Sequence, residues 1–96
     1  MATVRGRDLF AGAAGCVTCH SGRRFTNNAT VDVGTGGVFQ VPSLVGVAHR
    51  APFLHTGCAA TLADRFGSCG GGDNHGATSG LGAADIADLV AFLSTL

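Results

Sequence analysis

Residues Cys16–Val17–Thr18–Cys19–His20 read C-x-x-C-H between Gly15 and Gly22, and the reading of this stretch decides the fold. Two thiols three residues apart on a tight turn can add to the two vinyl groups of one haem, and the adjacent imidazole then lies under the iron. Two other readings compete. A thioredoxin-like redox pair belongs at a helix start after a strand in a βαβ pattern, and no such pattern surrounds it. Half of a zinc site wants a second closely spaced pair, whereas Cys58 and Cys69 lie eleven residues apart. The motif therefore predicts one haem c held covalently through Cys16 and Cys19, with His20 as proximal iron ligand.

Working outward, Arg5 to Ala14 carries Leu9, Phe10 and Ala13 on one stripe and predicts a short N-terminal helix. Residues 23–37 are rich in Asn, Thr, Gly and Val and read as an irregular loop with short extended pieces. The stretch Pro42–Val47 is expected to hold a helical turn, and Pro52 breaks the chain again. Thr61–Leu62–Ala63–Asp64 has the form of a capping box opening a short helix that ends at Gly67. Residues 70–80, led by Gly70, Gly71 and Gly72, read as a flexible loop. The clearest helix is the last: Ile86, Leu89, Val90, Leu93 and Leu96 form an apolar stripe. Asp85 and Asp88 lie near its N-terminus, where the helix dipole favours carboxylates. The expected class is all-α, with about half the chain irregular and in need of something to wrap around.

Composition points the same way. The 96 residues make one small domain. Sixteen glycines and fifteen alanines leave many core positions methyl-sized, so a staple is expected: a disulfide, a metal or a large apolar cofactor. Hydrophobic residues make up 46%, which is not a disordered composition even though only 12% are charged. Six Arg and six Asp, with no Lys or Glu, give zero net charge and exclude the basic face of a nucleic-acid binder. No apolar run approaches the roughly 20 residues of a membrane span. Residues 1–5 do not open a signal peptide, because no apolar region follows.

The order of short helix, C-x-x-C-H, loops, mid-chain Pro42 and amphipathic C-terminal helix resembles a class I cytochrome c fold. More specifically, the run Val41–Pro42–Ser43–Leu44–Val45–Gly46–Val47–Ala48–His49–Arg50–Ala51–Pro52–Phe53–Leu54–His55–Thr56–Gly57 resembles a stretch of the bacterial di-haem cytochrome c peroxidase and MauG superfamily. Ala60–Thr61–Leu62–Ala63–Asp64 and Asp88–Leu89–Val90–Ala91–Phe92–Leu93 resemble two further motifs of that family. The resemblance covers nearly the whole chain and matches one haem domain, most like the C-terminal one. There are two departures: a single C-x-x-C-H, and His-Thr-Gly where the family has His-Asp-Gly. The resemblance implies a class I cytochrome c-like fold, short helices and long loops wrapped around one covalent haem, with residues 1–96 as a single mono-haem domain or a piece of a larger protein.

The sixth iron position stays open between candidates. Met1 precedes the haem motif and is the only methionine, so the usual distal ligand is missing. In the resembled family the distal residue lies fourteen positions after the His of His-Asp-Gly, and counting from His55 reaches Cys69. Cys69 is expected instead to pair with Cys58, since two spare cysteines in an exported protein tend to join. His49 reads as a surface residue and His55 as a structural one. His75, in a glycine loop just beyond the expected ligand position, is the leading candidate, with Asp73 orienting its ring. The expected cofactor contacts are Cys16, Cys19, His20, Pro42 and His75, with His20 and His75 on the iron.

The leading functional expectation is a one-electron carrier that works with a redox partner protein, as a monomer, without nucleic acid and without a membrane span. The alternatives are the haem domain of a di-haem peroxidase-like enzyme and a module that binds CO or NO at an open iron. Because bacteria attach haem c outside the cytoplasmic membrane, a periplasmic or otherwise exported location is expected, with the leader trimmed.

Overall fold

The computed structural model describes residues 1–96. Two α-helices cross at its centre: α1, Ala2–Ala11, and α2, Ala83–Leu93. The remainder is loop punctuated by single 3-10 turns at Cys16–Thr18, Val47–His49, Ala63–Phe66 and Gly72–Asn74. Two strands of two residues, β1 (Thr30–Val31) and β2 (Phe39–Gln40), pair antiparallel, Thr30 opposite Gln40 and Val31 opposite Phe39. The helices are accompanied by this small β-ribbon, whose first strand lies in the 23–37 loop where short extended pieces are expected.

The first helix begins and ends earlier than the apolar stripe suggests. Its first turn is closed by the Arg5 amide on the Met1 carbonyl, and it stops at Gly12, whose amide still reaches the Asp8 carbonyl. Gly15, at φ 67, takes the left-handed conformation that an L-residue resists and turns the chain into Cys16–Thr18. No helical turn forms at Pro42 itself; the 3-10 turn comes five residues later, after a left-handed Gly46. The capping box at Thr61 is realised, with Thr61 Oγ1 accepting from the Asp64 amide at 3.2 Å and Asp64 Oδ2 accepting from the Thr61 amide at 3.1 Å.

The helices touch through Gly6. A Cβ there would run into the Asp88 carbonyl and lie 2.8 Å from the Phe92 Cβ, so only glycine permits this crossing. Around it pack Phe10, Ala14, Val47, Leu89 and Leu93, the contiguous buried core. Phe10 meets Phe92 edge-on with ring centroids 5.2 Å apart, and Phe25 closes the triad at 6.1 and 6.5 Å. On the rim, Arg5 Nε donates to Asp88 Oδ2 at 3.0 Å, an exposed pair that contributes little. Only nine of the 96 residues are buried, so the polypeptide by itself closes a small core. No helix is long and apolar enough to cross a membrane.

Candidate functional site

The aromatic triad delivers the first ligand candidate. Phe25 is pinned by Phe10 and Phe92 while its backbone adopts φ 55, a left-handed value that a bulky residue adopts at a cost of about 1–2 kcal/mol. In that conformation its carbonyl lies 2.9 Å from Nδ1 of the half-buried His20. A carbonyl only accepts, so Nδ1 carries the proton and Nε2 is left with its lone pair. Burial lowers the His20 pKa, the carbonyls of Phe25 and Pro42 oppose this, and the Arg65 charge adds to the lowering. Pro42 itself is exposed and contributes through its main chain.

His75 repeats the arrangement. Its Nδ1 donates to the Gly70 carbonyl at 3.1 Å, again five residues away in sequence, and again Nε2 keeps its lone pair. Burial, then the charge of Arg65, push its pKa down to about 4, with Gly70 opposing and His20 adding to the fall. The imidazole is therefore neutral at pH 7, the form a metal needs. The chain brings His20, His75, Cys16 and Arg65 into one electrostatic neighbourhood, since Arg65 acts on all three of the others.

The turn that carries His75 is tied down rather than loose. A Cβ on Gly71, at φ 90, would strike the Val33 carbonyl, and the Ala77 amide donates to the Ala14 carbonyl at 2.8 Å. Asp73 does not orient the His75 ring. Its carboxylate accepts from the Ser79 hydroxyl at 2.6 Å and from the Thr78 and Ser79 amides at 2.8 Å, bonds that hold its pKa below the usual carboxylate range. The role expected for Asp73 passes to the Gly70 carbonyl.

The remaining candidates separate cleanly. Cys69 is bonded to Cys58, with Cα atoms 6.4 Å apart, which removes it as a thiolate ligand. His55 is exposed, stacks on Phe39 at 4.0 Å between centroids and lies 3.4 Å from Thr35 Oγ1. His49 is exposed at the end of its 3-10 turn. Cys16 and Cys19 carry free thiols, and burial pushes the Cys16 thiol up, the opposite of a thioredoxin-like nucleophile. No three or more His, Cys, Asp or Glu side chains come together as the ligand set of a bare ion. A structural zinc centre wants four such ligands at one point.

A haem fits better. It needs one or two nitrogen ligands, two thiols on a short turn and apolar surface to cover its faces. Cys16, Phe25, Leu44, Phe53, Leu62 and Phe66 pack on the core while staying half-exposed, which is surface of that kind. The residue that sequence reasoning misses is Arg65. Its only signal is an arginine followed by Phe66 inside the Cys58–Cys69 span.

In sequence and in fold the chain is similar to MauG-type haem domains, the resemblance its motifs carry. It is 30% identical over 120 residues to methylamine utilization protein MauG of Methylorubrum extorquens, across 96% of this chain and 33% of that protein. Hydrazine synthase of Kuenenia stuttgartiensis superposes with a TM-score of 0.93 and 26% identity, over all of this chain and 46% of that one. A MauG-like protein associated with microbial copper homeostasis superposes at 0.79 and 26%, over 99% of this chain and 46% of that one. The chain thus spans a third to a half of the relatives it matches. No family model matches it. These likenesses support a haem-protein role.

Proposed function

We propose that residues 1–96 form a mono-haem c domain that passes single electrons, with Cys16 and Cys19 holding the haem and His20 and His75 as its axial ligands. The observation that carries this reading is the matched pair of imidazoles, each with Nδ1 within hydrogen-bond distance of a main-chain carbonyl five residues away, an arrangement that favours a proton on Nδ1 and a free Nε2. The haem supplies a one-electron couple when bound. The chain's own residues do the rest. Phe25 and Gly70 fix the two tautomers and ring orientations, and the half-buried apolar side chains limit water. The partner is a second redox protein, met by a monomer. The Cys58–Cys69 bond fits a periplasmic or other exported location, where disulfides persist.

A second reading is favoured by the lengths of the relatives, which this chain only partly spans: one haem domain of a longer, peroxidase-like enzyme. Spectroscopy of the oxidised protein separates the two. Bis-histidine ligation gives a low-spin ferric EPR signal and slow CO binding after reduction, and, independently of the axial ligands, thioethers at Cys16 and Cys19 give a haem that resists acid–acetone extraction. His75→Ala converts the iron to high spin while the haem stays attached. A low-spin signal that survives His75→Ala places the sixth ligand elsewhere, and a high-spin wild type favours the enzyme reading.

A further inference from the structure

Arg65 is a cation that the proposed chemistry does not yet use. It is half-buried, and neither ion pair of the protein, Arg5–Asp88 or Arg7–Asp8, includes it. A cation withdrawn from water without a carboxylate needs other compensation. Here it has two forms: the guanidinium lies over the Phe66 ring, 4.5 Å from the centroid, and Nη2 donates to the His75 carbonyl. The backbone is shaped around this side chain. A Cβ on Gly70 would strike the Arg65 carbonyl and lie 3.4 Å from Nη1, while one on Gly76 would lie 3.9 Å from Nη2. Arg65 therefore grips both ends of the turn that carries His75, its main chain against Gly70 and its side chain at His75. Gly70 is also the residue whose carbonyl orients the His75 ring.

We propose that Arg65 is the positioning residue of the site: seated on Phe66, it holds the His75 carbonyl and so fixes the turn whose Gly70 carbonyl orients the His75 ring. The inference rests on the reading of His75 as an axial ligand. It makes two separable demands. Geometry requires the planar fork, which can stack and donate at once, so lysine replaces it only in part. Charge requires only a cation, whose field near the centre disfavours the oxidised, more positive iron.

The test compares haem-loaded wild type with Arg65→Gln, Arg65→Lys and His75→Ala, reading cyanide binding to the ferric protein, midpoint potential and spin state. Arg65→Gln is expected to bind cyanide at least about tenfold faster, the factor for losing one hydrogen bond to a charged donor, and to have a lower potential. Arg65→Lys is expected to bind cyanide at an intermediate rate while keeping the wild-type potential. Wild-type cyanide rates in both Arg65 variants, with His75→Ala turned high spin, overturn the inference and leave the ligand reading standing. A low-spin His75→Ala overturns both. Where Arg65→Gln does not fold, Arg65→Lys decides alone: a wild-type cyanide rate sinks the proposal and a faster one supports it.

Discussion

Asp73 shows how one carboxylate shapes the site without touching it. Three donors from Thr78 and Ser79 converge on it and hold its pKa below the ordinary value of 3.8. A carboxyl depressed in the folded state stabilises above its unfolded pKa, and that contribution disappears as pH falls through the folded value. Asp73→Asn should therefore lower the urea midpoint at pH 7, and the gap to wild type should close below about pH 3.8. Equal midpoints at pH 7 would show that the 73–79 turn does not depend on these bonds. At this scale Cys16, Cys19 and His20 are legible in the sequence because spacing alone encodes them. The tautomer-fixing carbonyls of Phe25 and Gly70 are not, since any residue type carries a carbonyl and only the fold aims it.

Among the elements, α2 is legible because Ile86, Leu89, Val90 and Leu93 repeat with the helical period, and Leu89 and Leu93 are indeed the buried ones. The start of α1 is hidden, because Ala2, Thr3 and Val4 carry no stripe and their helix is stabilised by packing on α2. For the ribbon, β1 falls where short extended pieces are expected, but β2 and the pairing are hidden, because two residues are too few to display a period. The crossing at Gly6 yields a sharp expectation. Intrinsic helix propensity favours Gly6→Ala by about 1 kcal/mol. The clash with the Asp88 carbonyl should outweigh that and leave a net loss of about 1–3 kcal/mol, measurable by chemical denaturation. A stabilised variant would mean that the helices part at little cost.

For the molecule as a whole, a thin core makes each cross-link count. The Cys58–Cys69 bond closes a separation of eleven residues, worth about 2–3 kcal/mol in the chain-entropy model. Reduction, or Cys58→Ser with Cys69→Ser, should lower Tm and speed cyanide entry, because the bond ends one residue before the turn that begins at Gly70. An unchanged Tm would assign that stability to the packing alone. The amide of Ala77 on the carbonyl of Ala14 has a further consequence. It stitches the strand of chain leaving His75 to the residue two positions before Cys16, so the two flanks of the centre share one mechanical frame. Under the proposed electron-transfer role, a frame of this kind would leave few bond lengths to readjust when the iron changes charge by one unit, and so would keep the inner-sphere reorganisation cost low.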